Sequence, residues 1–206
     1  MSATRQRRGG KPLKRVTARR AERRTIVVFC EGSKSEPAYV NGVRRLPGVT
    51  ANTAMTIVVD PIQGTPVTLV EAAIRKSQDD EVDECWCLFD VEWPLNHPRL
   101  AEAVDLATRN GIHLAISNPC FELWLLLHHQ DWSRFENTDV VERASRALEK
   151  RKGKSIDAAF YLPHRQEAVR RAVVLEQRHS RSGTTLPDDN PSSGMHKFLA
   201  AVERPR

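Results

Sequence analysis

Four short apolar runs, separated by stretches long enough for a helix, constrain this chain more than any other feature. They are Thr25–Cys30, Thr53–Val59, Cys85–Phe89 and Ile112–Ile116, rich in β-branched and aromatic residues. Near-continuous apolar runs are the pattern of strands buried on both faces. Between them, the turn Gly32-Ser33-Lys34-Ser35-Glu36-Pro37 leads into a helix reaching about Arg45, capped by Ser33 or Ser35 with Pro37 in its first turn. Val67, Val70 and Ile74 recur at helical spacing after Gln63-Gly64-Thr65-Pro66. A third helix over 97–110 places Leu100, Val104 and Ala107 on one face, and Asn110-Gly111 stops it. Strands alternating with helices predict an α/β fold, a parallel sheet of about four strands covered on both sides.

The third run ends in two acids, Asp90 and Glu92, just before Pro94. Residues two apart in a strand share a face, and proline stops a strand from continuing as a central one. Both carboxylates are therefore expected together at a strand's C-terminal edge. Glu31 ends the first run in the same way. In open parallel sheets, ligands bind outside the carboxyl ends of the strands. Two like charges about 4 Å apart repel by about 4 kcal/mol at an effective dielectric of about 20, so a proton, a cation or bulk water must relieve them. Three oxygen donors suit Mg²⁺ or Mn²⁺, which could polarise a phosphodiester, orient a water and neutralise the leaving oxygen. Lys34, close behind Glu31, could add positive charge at the transition state. The bland alternative is a set of solvated acids at the starts of loops.

Other chemistries lack their signatures. There is no phosphate-binding glycine loop, dinucleotide fingerprint, nucleophile elbow or His-Glu-x-x-His pair. None of the four cysteines lies in a Cys-x-x-Cys spacing with nearby histidine, which argues against zinc, and Cys85 and Cys87 share a strand face in the core. With no disulfide framework, a reducing compartment, the cytoplasm, is expected. No apolar run reaches the length of a membrane span. The N-terminal stretch has no apolar h-region, although its arginine-rich, acid-poor composition imitates a transit peptide.

The charge is unevenly spread. The formal net charge is +6, yet residues 1–24 hold ten Lys or Arg against a single acid, Glu22, so the rest carries a small negative balance. A basic arm over 1–24, expected to be flexible, ahead of one α/β domain over 25–206 suggests a polyanionic partner such as nucleic acid, with Arg7, Arg8, Lys11, Arg15, Arg19 and Arg20 as contacts. A solubilising tail is the alternative. Past Ile116, Asn118-Pro119 reads as a helix start, with Asn118 as cap and Pro119 in the first turn. The helix over 120–129 is nearly all apolar, hence buried, and Glu122 inside it must meet a donor, a cation or water. Further amphipathic helices span 138–152 and 165–181. Arg165, Arg170, Arg171 and Arg178 on the latter could line a nucleic-acid channel or form a solvated basic face. A turn-rich loop over 181–194 precedes a final short helix with His196.

Four segments then occur together in order: Glu31-Gly32-Ser33-Lys34-Ser35-Glu36-Pro37, Phe89-Asp90-Val91-Glu92, the stretch from Ser117-Asn118-Pro119-Cys120-Phe121-Glu122 to His128, and Asn190-Pro191-Ser192-Ser193 with His196. Together they resemble the RloB-like family over nearly the whole chain. That family is similar to the Toprim fold of topoisomerases, primases and overcoming-lysogenization-defect nucleases, and is associated with bacterial defence loci beside an ATPase. The resemblance implies a Toprim-like parallel sheet with a helical C-terminal extension and a Mg²⁺- or Mn²⁺-dependent nuclease in antiviral or abortive-infection defence, with an ATPase partner. It implies Glu31 as general acid/base or metal ligand, and Asp90 and Glu92 as the metal-holding pair. The family pattern usually has Asp where Glu92 stands, which moves that carboxylate outward by about one methylene. Glu36 resembles a second acid that some Toprim nucleases carry as a further ligand. Glu122, His128 and His196 fall on motif positions without an assigned role. The rival implied readings are a non-catalytic nucleic-acid-binding module and an ATPase-docking protein. DNA and RNA are not distinguished, because Trp86, Trp93, Trp124 and Trp132 read equally as core or as base-stacking residues.

Overall fold

The computed structural model describes residues 23–59 and 65–204. Its elements run β1 (Arg24–Cys30), α1 (Ser35–Arg44), α2 (Pro47–Asn52), β2 (Thr53–Val59), α3 (Pro66–Lys76), β3 (Glu84–Asp90), α4 (Leu100–Arg109), β4 (His113–Asn118), α5 (Phe121–Leu127), α6 (Thr138–Glu149), α7 (Ala158–Tyr161), a 3₁₀ turn (Leu162–His164), α8 (Arg165–Ser182), β5 (Ser192–Ser193) and α9 (Met195–Val202). The sheet order is β2-β1-β3-β4-β5. The four strands expected from the apolar runs are all present and parallel. The two-residue β5, hidden in the turn-rich 181–194 loop, adds an antiparallel edge by pairing Ser193 with Ser117 and Ser192 with Asn118.

The pleat sorts each apolar run into two buried layers. Ile26, Val28, Cys30, Trp86 and Leu88 join the side chains of α1, α5, α8 and α9. Val27, Phe29, Cys85, Cys87 and Phe89 meet α3 and α4 on the opposite face. Because both faces are covered, almost every position of β1 and β3 is buried, which is why these runs do not alternate. Each fully buried Val, Leu or Phe contributes about 1.5–3 kcal/mol relative to exposure. All four cysteines are free and buried. Among the described residues, no helix is long and apolar enough to cross a membrane.

Helix starts depart from the sequence reading. Asn118 is not a cap: it ends β4, held extended by its pairing with Ser192, and α5 begins at Phe121 with Cys120 as an N-cap that makes no side-chain bond. Asn118 instead accepts from the Trp93 indole N–H (2.8 Å) and donates to the Pro187 carbonyl (2.8 Å) and Asp189 (2.8 Å). Neither Ser33 nor Ser35 caps α1; Lys34 occupies that position, and Ser35 turns inward. The helix expected from His97 starts at Leu100, because the His97 N–H is held by the Val91 carbonyl at 3.1 Å. The short α2 and α7 have too few apolar positions to show a period in sequence, and α2 buries only Val49.

Candidate carboxylate site

Parallel pairing sets the C-terminal ends of β1 and β3 side by side, with Cys30 level with Leu88 and the Glu31 N–H donating to the Leu88 carbonyl at 3.0 Å. A cavity of about 560 Å³ opens there, lined by Gly32 to Glu36 and by Glu31, Asp90, Glu92, His97, Glu122 and Lys154. The three strand-end acids read from the sequence thus share one cavity with Glu36, Glu122 and Lys34.

Each acid is placed by a local device. Glu31 bridges: its Oε2 accepts from the Asp90 N–H (3.3 Å), and its Oε1 lies 3.1 Å from His97 Nε2. The hydrogen bond to Glu31 raises the His97 pKa, against partial burial. Asp90 closes β3 at the cavity floor. Burial pushes its carboxyl well above the usual range, and the charges of Glu36, Glu122, Glu31 and Glu92 push the same way. Glu36 folds back over Gly32 and accepts from the Gly32 N–H at 3.1 Å. Its pKa is pushed up to about 7, chiefly by burial. A Cβ on residue 32 would lie 2.2 Å from a Glu36 carboxylate oxygen, so glycine is what lets that carboxylate sit there.

Glu92 arrives by a route the sequence did not show. The strand stops at Asp90, and Glu92 adopts φ 68°, so the two acids meet through a turn rather than through the pleat. A left-handed conformation costs a non-glycine residue about 1–2 kcal/mol. Three successive N–H groups hold the turn: Val91 to the Ser117 carbonyl (2.9 Å), Glu92 to the Pro119 carbonyl (2.9 Å) and Trp93 to the Thr138 hydroxyl (3.0 Å). Burial raises the Glu92 pKa, partly offset by a hydrogen bond with Thr138.

Glu122 finds the donors that its burial demands. The Ser35 hydroxyl lies 3.1 Å from its Oε1 and Arg151 Nη2 lies 3.9 Å away. The same hydroxyl lies 2.9 Å from the Lys154 carbonyl and shares its one proton between the two acceptors, tying α1 to the loop after α6. Lys154 itself pairs with Glu142 at 3.1 Å. Its pKa is raised, burial being outweighed by that partner.

His97, Lys154, Ser35 and Thr138 were missed in sequence. His97 and Lys154 lie in connections and Ser35 and Thr138 open helices, and only the fold brings them to the strand ends. Two motif histidines lie elsewhere. His128 sits in the core, where its Nδ1–H donates to the Trp124 carbonyl (2.8 Å) and its Nε2 accepts from the Tyr39 hydroxyl (3.0 Å). Both nitrogens of His196 face acceptors, the Ser193 carbonyl (2.8 Å) and Glu176 (3.1 Å). Arg170 and Arg171 on α8 do not line the cavity. Arg170 pairs with Glu167 at 3.0 Å. Arg171 donates to the Leu127 carbonyl (2.7 Å), the His128 carbonyl (3.2 Å) and Asp131 (2.7 Å), covering the C-terminus of α5. Trp86, Trp124 and Trp132 are buried, leaving Trp93 as the half-buried one. Arg7, Arg8, Lys11, Arg15, Arg19 and Arg20 lie outside the described residues, and β1 itself begins at Arg24, which pairs with Glu84 at 2.6 Å.

The donor set is all oxygen and anionic, the chemistry a hard divalent cation prefers. The raised Asp90 and Glu36 carboxyls mark a charge surplus that protons relieve and a cation could relieve instead. Among the described residues, no three His, Cys, Asp or Glu side chains stand close enough to ligate one ion as placed. Holding an ion would take side-chain rotation within the cavity.

The family described as RloB-like protein matches residues 26–202. No curated protein and no solved structure matches.

Proposed function

The chain belongs to the RloB-like protein family, and on that footing we propose that it is a Toprim-like, Mg²⁺- or Mn²⁺-dependent nuclease. Its setting in this proposal is the cytoplasm and antiviral, abortive-infection defence, under the control of an ATPase partner. The observation that carries the reading is the single cavity in which Glu31, Asp90 and Glu92 gather with Glu36 and Glu122 at the strand ends. Acids on a solvated edge would not have a carboxyl pushed up by burial and by four neighbouring acids as Asp90 has.

In this reading Glu31, Asp90 and Glu92 hold the cation, with Glu36 as a further ligand. When bound, the cation supplies Lewis acidity toward a phosphodiester oxygen and lowers the pKa of a water. The Asp90 N–H and His97 fix the Glu31 carboxylate from two sides, so Glu31 can take a proton from an attacking water. Lys34 and Lys154 place positive charge on the cavity wall where a phosphate would sit. The basic arm supplies phosphate affinity without reading sequence, so binding should weaken steeply with salt.

One observation favours the second reading, a nucleic-acid-binding or ATPase-docking module: among the described residues, no three ligand side chains are gathered as placed. Cleavage of mixed DNA and RNA by the purified protein in Mg²⁺, Mn²⁺ or EDTA, beside Asp90→Ala, separates the two. Metal-dependent cleavage lost in the variant supports the nuclease. Intact binding with no cleavage by either protein, with or without the ATPase, supports the module.

A further inference from the structure

A second cavity, of about 680 Å³, adjoins the carboxylate site and shares one wall with it: His97 lines both. The two differ in chemistry. The carboxylate cavity has five acids and two lysines on its walls. The neighbouring groove is walled by Leu100, Ala101 and Val104 of α4 and by Leu186 and Pro187 of the facing loop, with no Lys or Arg among its lining residues. Its polar groups are Asn96, Thr108 and Thr185, with His97 at the shared wall and the Asp105 carboxylate, which pairs with Arg109, at the α4 side. The Asn96 Oδ1 has no hydrogen-bond partner, so re-aiming that amide breaks no bond at the oxygen. On the same connection, Leu95 stands 84% exposed.

We infer that this groove is a nucleobase subsite, holding a base next to the phosphodiester in the carboxylate cavity. The inference deepens the nuclease reading and rests on it for the identity of the occupant. A phosphate drawn to Lys34 and Lys154 carries a nucleoside on each side. His97 is the wall across which one of these must pass into the groove. Apolar walls with no Lys or Arg, His97 turned to Glu31 and the Asp105 carboxylate among them disfavour a second phosphate and accept a flat, uncharged ring. The amide and hydroxyls can meet the hydrogen-bonding edge of any base, so the subsite discriminates base from no base rather than one base from another. The cavity lies in the size range of small-ligand sites. A base held there must leave its stack, so the favoured substrate is single-stranded or locally opened.

The test uses the full chain in EDTA, where cleavage plays no part. Binding of a nucleoside monophosphate is compared with binding of the same sugar phosphate lacking the base, for wild type, Ala101→Trp and Asn96→Ala. Ala101 is exposed on α4, so tryptophan there fills the groove without entering the core or the carboxylate cavity. The expected result is a preference of about tenfold for the base-bearing ligand in wild type, the scale of a modest apolar burial. Ala101→Trp should erase it and Asn96→Ala reduce it, with sugar-phosphate affinity unchanged. Equal binding of the two ligands, no nucleotide binding up to millimolar concentration, or a preference that survives Ala101→Trp would each overturn the subsite. The nuclease reading stands or falls separately, on metal-dependent cleavage and its loss in Asp90→Ala. A base preference without cleavage removes the nuclease and keeps the subsite, and cleavage without base preference does the reverse.

Discussion

One helix, α1, feeds two buried polar clusters, and they are built on opposite rules. Its first turn brings Ser35 and Glu36 to the carboxylate cavity, and one turn later Tyr39 enters the His128 cluster. Around His128 the partners balance. Both ring nitrogens and the Tyr39 hydroxyl are bonded, and burial drives the His128 pKa down to about 3, so the ring is neutral. Only the Trp124 indole N–H in that group has no hydrogen-bond partner. In the cavity the charge is not balanced, and Asp90 and Glu36 are pushed toward their protonated forms. Buried polarity that is neutral and paired holds a fold together. Buried charge of one sign needs something from outside, and that separates a site from a scaffold.

The sharpest way to break this contrast is Asp90→Asn, which keeps shape and removes charge. Cleavage should fall by about a thousandfold or more if the acid holds the cation. Stability should move the other way. The folded-state pKa of Asp90 is raised, so the folded protein holds a proton that the unfolded chain releases above about pH 4. The resulting penalty grows as pH rises toward the folded pKa, and at pH 8 the Asp90→Asn variant should melt higher than wild type. Added Mg²⁺ should raise the melting temperature of wild type by mass action and leave the variant unmoved. A variant that melts lower and still responds to Mg²⁺ would make Asp90 a structural residue and dissolve the contrast.

His128→Ala attacks the other cluster. It strands the Tyr39 hydroxyl and opens a void, for a loss of about 3 kcal/mol in denaturant unfolding, with the Mg²⁺ response unchanged. The two clusters should also differ in the sign of their pH dependence. His128 is depressed to about 3 from an ordinary 6.5, so as pH falls through 6.5 the unfolded chain takes up the proton first. Stability on this account is full above pH 6.5 and is lost toward pH 3, at up to about 1.4 kcal/mol per pH unit. Unfolding of wild type and His128→Gln from pH 7 to 4 isolates this share, because other acid-labile groups are common to both. Parallel curves would mean that the ring is not held neutral by burial.

Much of this was legible from residues alone. The apolar runs gave the strands because burial on both faces leaves nothing polar to confuse the pattern, and the acids at their ends gave Glu31, Asp90 and Glu92. What failed was set by tertiary partners. Asn118 has the composition of a cap, but pairing with Ser192 keeps it in β4. Glu92 has the spacing of a pleat, but hydrogen bonds to Pro119 and Thr138 turn the chain there. Lys154 reads as one more basic residue after a helix, and nothing local says that Ser35, far back in sequence, holds its carbonyl. The basic helix shows the same limit from the other side: Arg171 looks like a phosphate contact and is taken up by the carbonyls of α5.

The smallest expected effect falls at Gly32, where the contrast can be sharpened without removing any charge. A methyl group there would meet the Glu36 carboxylate at 2.2 Å, and the flexible end of that side chain, not the backbone, has to give way. Gly32→Ala should therefore change global stability by less than about 1 kcal/mol, within the range of a substitution that breaks no core packing. Its effect should appear in the charge balance instead. Burial is the main reason the Glu36 pKa reaches about 7, and it outweighs the Gly32 N–H, which lowers it. Pushed toward the cavity mouth and water, the carboxyl should titrate nearer its ordinary 4.5, a change visible in the Glu36 side-chain carboxyl resonance by NMR. Mg²⁺ affinity should then shift by a few fold, because the cluster enters the metal-bound state with one fewer proton to release. If Gly32→Ala instead lowers stability by several kcal/mol and leaves the Glu36 titration in place, the carboxylate is locked into the fold as firmly as His128. Glu36 would then belong with the scaffold rather than the site.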